Sequence, residues 1–387
     1  MKAAGCRLLA NPVRQSAMGI AAIFTHARYW QRTLKLIKKE LATLHPQVVI
    51  PIDSSTVNLR IAAAATRLRI PVCYYVAPQV WASRPWRVAK IKAAVNTLCC
   101  VLPFEESYFR SRGIHAVYVG HPLFDISPEN SPQLFHNSPD FNPVLLDPPL
   151  PGIKPSNQSR ASGTQRMAFT RTTADASTAS PAAPRIAIFP GSRKAEINAH
   201  MPAMLEILSE IKGRFSNAHF VAVAPSNERA WQIRHHLRNA NTPVDIRVGS
   251  ADAIIRWADL VLAKSGTATL QIARHAKPMI VLHRVNRFTW HILARFFINT
   301  RFISLVNILA DRQLVPEFIP FYGSPLPVAR QAIELLSQPE RRQKMSQDLA
   351  ILTAPLHPRD NILASDRVAN EVEKLLHAQP PPAKLLT

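Results

Sequence analysis

The chain reads as an α/β protein built from two doubly wound lobes. Three observations predict this. Short apolar runs alternate with helical patterns over the first 125 residues, the same rhythm returns after residue 185, and polar or glycine-containing turns follow the strands in both halves. The expected division is 1–125, an N-terminal lobe; 126–184, an insertion or linker; 185–365, a C-terminal lobe; and 366–387, a C-terminal helix and tail.

In the first lobe the strand candidates are Val48–Pro51, Val72–Val76, Leu98–Leu102 and Ala116–Val119, with helices over Asn58–Arg69, Pro85–Ala94 and Glu105–Arg112. Such βαβ alternation implies a parallel sheet. The segment that follows changes in composition. Ten of the 33 prolines fall between Ser127 and Pro184, and Gln158–Ser180 is almost free of aliphatics, so a partly disordered linker is expected. Strands then return at Ile186–Phe189, Phe220–Ala224, Val244–Val248, Leu260–Ala263 and Met279–Leu282. Helices over Pro327–Leu336 and Asp366–Leu376 close this second domain.

At 387 residues, two domains are the better expectation, and 47% apolar residues suffice for packed cores. A formal charge of +22 favours an anionic partner: nucleic acid, an acidic membrane or phosphorylated substrates. The charge is spread along the chain without a Lys/Arg block, and no nucleic-acid recognition motif is present, so no nucleic-acid partner is expected. Cys6, Cys73, Cys99 and Cys100 have no metal-ligand spacing and read as thiols of a reducing compartment. No apolar stretch reaches the ~18 residues of a spanning helix. Met1–Gly19, interrupted by Arg7 and Arg14, does not read as a signal peptide, so the cytoplasm is the expected location.

Open parallel sheets bind ligands at the carboxyl ends of their strands. The residues found there are Asp53, the segment Ala77–Arg84, Gly120-His121-Pro122, Pro190-Gly191-Ser192-Arg193 and Lys264-Ser265-Gly266-Thr267. Gly191 admits close backbone approach, the following helix offers unpaired N–H groups, and Arg193 adds a guanidinium, which together suit a phosphate. Ser265-Gly266-Thr267 repeats the arrangement. The alternative is that Ser192 and Ser265 are plain helix caps. Neither turn has P-loop or GxGxxG spacing. Asp53 reads either as a cap of the next helix or as a carboxylate accepting a proton from an acceptor hydroxyl. His121 is either a turn residue or a polar cleft group. Arg28–Leu44 sets Trp30, Leu34, Ile37, Leu41 and Leu44 at 4-3-4-3 spacing, with Arg28, Arg32, Lys35, Lys38 and Lys39 on other faces. It reads as a packed amphipathic helix or one lying on an anionic membrane, and Arg287–Phe297 poses the same choice.

Taken in order, these motifs resemble the lipid-A-disaccharide synthase family, inverting glycosyltransferases of the two-lobed GT-B type. The matching residues are Val49–Ser54 with Asn58-Leu59-Arg60, Tyr75–Ala82, Leu102–Glu105, Val119–Leu123, Pro190–Arg193 with Glu196-Ile197, Ser265–Leu270, Arg284-Val285, Ser304–Ala310 and Val315–Glu317. They cover about Met1 to Pro316, and more loosely the rest, without the Pro-rich segment. The resemblance implies a UDP-2,3-diacylglucosamine donor, a 2,3-diacylglucosamine 1-phosphate acceptor, and no metal or other cofactor; it makes 1–125 the acceptor-binding lobe, incomplete at its start, and 185–365 the UDP-sugar-binding lobe. It implies that Arg193 and the Ser265–Thr267 turn, with Gly191 and Ser192, hold the UDP phosphates and that Asn307 sits at the nucleotide. Asp53 is then the base or orients the acceptor hydroxyl. Gln271, Arg284, His121 and Arg84 complete the implied substrate contacts. The partners are the two substrates and, peripherally, the inner membrane's anionic surface, with a homodimer left open. Two alternatives stand beside this: a UDP-sugar transferase with another lipid acceptor, and a non-catalytic truncated homologue.

The departures are specific. The family opens with a glycine-rich strand–turn–helix resembling Gly-Glu-Ala-Ser-Gly-Asp, whereas Met1–Cys6 matches a point after it. The recorded start is therefore expected to be short, and loss of that strand to open a gap between neighbouring strands. Thr56 stands in place of an acid, Ser83 in place of a Trp, and Gln271 in place of a Glu tied to nucleotide binding, which weakens an expected ribose contact.

Overall fold

The computed structural model describes residues 20–125, 183–285 and 300–378 apart from 239, 359 and 361, together with residues 5–7 and 9; over 20–28 it describes the backbone alone. The stretch Arg287–Phe297 and nearly all of the Pro-rich segment lie outside the described residues.

The N-terminal lobe runs α1 (Ile20–Leu44), α2 (Ser55–Arg67), β1 (Cys73–Tyr75), α3 (Val88–Ala94), β2 (Thr97–Cys100), α4 (Pro103–Arg110) and β3 (Ala116–Tyr118). Its parallel sheet has the order β1-β2-β3. The expected strand at Val48–Pro51 is present as an extended segment pairing with β1 through Val49–Val72 and Ile52–Tyr75 bridges. These four segments lie side by side, so the expected gap does not open between them. The segment at 49–52 is instead the outermost described strand, and Ile50 and Ile52 are exposed there. Along α1, Leu34 and Leu41 are buried while Arg32, Lys35, Lys38 and Lys39 face solvent, and Leu41 packs with Ala62 and Ala65 of α2. The apolar stripe over these residues is thus a packing face.

The C-terminal lobe alternates β4 (Arg185–Phe189), α5 (Lys194–Arg214), β5 (His219–Ala224), α6 (Asn227–Leu237), β6 (Asp245–Val248), α7 (Ala251–Trp257), β7 (Leu260–Lys264), α8 (Ala268–Arg274) and β8 (Met279–Arg284). There follow α9 (Leu305–Ala310), β9 (Glu317–Phe321), α10 (Leu326–Ser337), α11 (Pro339–Thr353) and α12 (Ala364–His377). All six strands are parallel, in the order β6-β5-β4-β7-β8-β9. The near-continuous apolar runs of β4, β7 and β8 are explained by helices on both faces: Ile186, Ile188, Val261, Leu262, Ile280 and Val281 are fully buried. The chain winds from β4 to one side and from β7 to the other. The crevice at this switch is where a ligand belongs.

Several contacts join the lobes, among them the Arg274 guanidinium donating to the Leu123 carbonyl. Trp81, Val101 and Leu102 pack into the same apolar core as the C-terminal strands. Helix α12 returns to the first lobe, with Val368 packed on Cys73, Cys99 and Val119, and the Ala364 N–H donates to Asp125. This corrects the expectation that the last helix closes the second domain. Its apolar stripe has to cover the open face of the β1-β2-β3 sheet.

Candidate active site

A cavity of about 450 Å³ opens at the carboxyl ends of β4, β5, β6 and β7. Gly191, Ser192, Arg193, Lys264, Ser265, Gly266, Thr267 and Gln271 line it, so seven of these eight are residues that the sequence reading singled out as ligand contacts. Lys264 is the addition. The sequence places it first in the turn after a strand without assigning it a contact; it is in fact the last residue of β7, and it turns its ammonium toward the α5 N-terminus.

Glu196 organises this end of the cavity. One of its carboxylate oxygens accepts the backbone N–H groups of Ser192 (2.9 Å) and Arg193 (3.2 Å). The other accepts from Arg193 Nη1 (2.9 Å) and Lys264 Nζ (3.2 Å). Burial alone would raise this carboxyl; Lys264, the Ser192 N–H and Arg193 outweigh it and bring it down to about 2. The expectation of free N–H groups at the Gly191 turn is therefore corrected, because the chain's own glutamate occupies them. Gly191 is needed for the same reason. At φ 122° a Cβ would lie 2.6 Å from the Glu196 Cβ.

The second turn is open. The N–H groups of Gly266, Thr267 and Ala268 have no partner among the described residues, and Lys264 and Arg193 lie on the same cavity wall. Neither serine is a helix cap. Arg193 and Thr267 occupy the cap positions, and Ser265 Oγ is 2.6 Å from His283 Nδ1. Behind them His200 Nδ1–H donates to the Glu196 carbonyl while Nε2 accepts from the Arg284 N–H, which fixes the neutral tautomer. Burial, then Lys264 and His200, push His283 down to about 4, so it too is neutral. Gln271 reaches past the cavity wall to donate to Asp252, which also receives Arg274 and His275. A donor is required at 271 by this neighbour, since a glutamate would face a second carboxylate.

The remaining expected residues do not line this cavity. Asn307 is fully buried with its side chain consumed: Nδ2 donates to Val315 O and Glu317, and Oδ1 accepts from Leu314 N and Val315 N. It fixes the turn before β9 and has no group left for a nucleotide, which corrects its implied role. Arg284 donates its backbone N–H to His200, and its charge disfavours the protonated form of that imidazole. His121 resolves as a turn residue, its Nδ1 accepting the Leu123 N–H, and burial lowers it to about 4. Arg84 is exposed and caps a single 3-10 turn with a left-handed backbone.

Asp53 lies in the first lobe, at the carboxyl end of the 49–52 segment. It does not cap α2, because Ser54 holds that position without a side-chain bond. Asp53 and Ser54 both have positive φ, 52° and 43°. This uncommon turn is locked from three sides: Asn58 Nδ2 donates to the carbonyls of Ile52 (2.8 Å) and Asp53 (2.7 Å), and the Tyr74 hydroxyl donates to the latter (2.6 Å). The result is an exposed carboxylate on a rigid backbone, with no hydrogen-bond partner among the described residues.

Comparison with known proteins completes the picture. The co-structure of S. aureus MnaA with UDP superposes with a TM-score of 0.57 at 12% identity, covering 92% of this chain and 83% of that one. The Neisseria meningitidis UDP-GlcNAc 2-epimerase bound to UDP-GlcNAc gives 0.54, again at 12% identity, over 95% and 84%. At such identity these share the fold, which is the GT-B arrangement of two Rossmann-like lobes. Lipid-A-disaccharide synthase of Anaeromyxobacter dehalogenans (strain 2CP-C) is 29% identical over 96% of this chain and 86% of its own length. Lipid-A-disaccharide synthase 1 of Legionella pneumophila (strain Paris) is 27% identical over 92% and 83%. The family model for lipid-A-disaccharide synthetase matches residues 1–141 and 165–371. The chain belongs to that family, and is a glycosyltransferase of lipid A disaccharide synthesis.

Proposed function

We propose that the chain transfers the sugar of UDP-2,3-diacylglucosamine to the 6-hydroxyl of 2,3-diacylglucosamine 1-phosphate, with inversion, releasing UDP. The observation that carries this reading is the paired cations, Arg193 and Lys264, beside the open amides of the Gly266 turn in a cavity at the sheet's switch point. A diphosphate leaving group needs positive charge that strengthens its hold as the glycosidic bond breaks, and these groups supply it. The apolar lining at Val223, Ala224 and Pro225 suits the nucleoside end. In the reaction, Asp53 takes the proton of the acceptor hydroxyl as its oxygen bonds to the donor's anomeric carbon. The bond from that carbon to the pyrophosphate breaks on the opposite face, and the electron pair leaves with UDP.

Both substrates carry acyl chains and negative charge. No described helix is long and apolar enough to cross a membrane. The exposed cations of α1 fit peripheral attachment to the anionic inner membrane from the cytoplasmic side.

The test is a transfer assay on the purified chain with both acylated substrates, the product read by mass spectrometry. Asp53→Asn should abolish transfer while UDP affinity stays constant. Arg193→Ala should lower kcat by about 10²–10³-fold, as loss of one transition-state donor does elsewhere. Full turnover in Asp53→Asn, or UDP affinity and kcat both indifferent to Arg193→Ala, overturns the reading.

A further inference from the structure

A second recess, of about 460 Å³, lies in the first lobe between α2 and α3. Its walls are complementary stripes. Thr56, Arg60, Ala63 and Arg67 recur at 4-3-4 spacing along one face of α2, and Arg87, Lys90 and Ala94 line the facing side. Small alanines floor the groove and four cations rim it. None of its lining residues is acidic.

A chain of this net charge exposes many cations, so the cluster needs a stronger argument than its sign. At Glu196, Asp252 and Asp348, gathered cations share a carboxylate. Arg60, Arg67, Arg87 and Lys90 form no ion pair among the described residues. Arg87 is half-buried and spends one N–H on the Ser55 hydroxyl at 3.1 Å. Burial, then the like charges of Arg84 and Arg60, disfavour its protonated form. Four mutually repelling cations around an open groove are stabilised most by an anion with several acceptor oxygens, which guanidinium forks match in pairs.

We propose that this groove is a second anion site, distinct from the cavity at the β4/β7 switch, and that it takes a phosphate monoester. Its position supplies a use. Ser55, at the groove's edge, is two residues beyond Asp53, and both Asp53 and Arg87 act electrostatically on Tyr74. A sugar phosphate anchored here by its phosphate presents its ring beside the Asp53 carboxylate. This last step rests on the proposed transfer reaction; the anion site itself does not.

Titration calorimetry with glucosamine 1-phosphate, run with UDP saturating the other cavity, tests the proposal. The Arg60→Gln/Arg87→Gln double variant should weaken sugar-phosphate binding by at least about tenfold. Lys90→Gln, on an exposed side chain that cannot compromise folding, should weaken it less. UDP affinity should not change in either. The reciprocal Arg193→Ala should lose UDP and keep glucosamine 1-phosphate, so failure of the donor reading and failure of this one give different patterns. Equal affinity for inorganic phosphate supports the anion site and assigns it to the free ion. Retention on phosphatidic-acid vesicles that Lys90→Gln abolishes supports it and assigns it to a lipid headgroup. Unchanged glucosamine 1-phosphate affinity in both groove variants, or no binding by the unmodified chain, overturns it.

Discussion

The carboxylate of Glu196 lies 2.9 Å from Arg193 Nη1 and 3.2 Å from Lys264 Nζ, so one anion holds both cations of the cavity. It also caps the helix that carries it. Four interactions therefore depend on a single side chain.

Glu196→Gln removes the charge and keeps the shape. The loss at neutral pH is expected to be about 1–2 kcal/mol, the scale of a helix cap combined with a partly buried ion pair. Its folded pKa of about 2 lies below the ordinary 4.5, so the benefit is complete above 4.5 and vanishes as pH falls through 2. Urea midpoints of variant and wild type should converge across that window. A constant difference down to pH 2 would contradict the assignment.

Gly191→Ala places a methyl group where the Glu196 stem already lies, at a backbone angle that L-residues avoid. A loss of about 2–3 kcal/mol is expected from crowding and backbone strain together. Thermal unfolding measures it, and an unshifted midpoint would show that the cap can relocate freely.

Asn307→Ala strips the Val315 N–H and carbonyl of their partner inside the protein and takes one bond each from the Leu314 N–H and Glu317. About 2–4 kcal/mol of stability should go, while UDP affinity of the folded protein stays the same. Weaker UDP binding with an unchanged unfolding midpoint would restore the nucleotide role.

Acid and neutral pH should pull stability in opposite directions through two kinds of buried group. His121 and His283 have folded pKa values near 4, below their ordinary 6.5, so the unfolded chain binds more protons between these limits and stability rises with pH there. Glu105 is raised by burial to about 7, although Trp81 and the N–H groups of Leu102 and Val101 favour its charged form. In this case the folded state holds the extra proton, and stability falls as pH rises from 4.5 to 7. Glu105→Gln should therefore steepen the rise of the urea midpoint between pH 4.5 and 6.5. A slope equal to wild type would mean that Glu105 stays ionised.

Most of the C-terminal lobe was legible because a strand buried on both faces leaves an unbroken apolar run. The turns after β4 and β7 were legible because strand order alone decides where a parallel sheet opens. Roles inside those turns were harder to read. Ser192-Arg193 looks like an open anion nest until Glu196, one helical turn on, is seen folding back over it. Lys264 stands in the quoted turn without an assigned contact, since a lysine at the end of an apolar run normally points to solvent. Asn307 misled in the opposite way: a polar residue amid a family motif suggests a ligand, and only the tertiary turn at Leu314–Val315 shows its amide to be spent. Trp81 and Glu105 belong to two separate motifs of the resemblance, and the structure joins them in one buried hydrogen bond at 3.0 Å. Part of what looked like site chemistry is the join between the lobes.

The chain crosses between the lobes twice, once after Asp125 and again between Thr353 and Ala364, where α12 is delivered back to the first sheet. The first sheet is therefore finished by the far end of the sequence. A chain cut after Thr353 should leave Cys73 and Cys99 without the Val368 cover that α12 lays over them, and thiol labelling in the native state would read that loss.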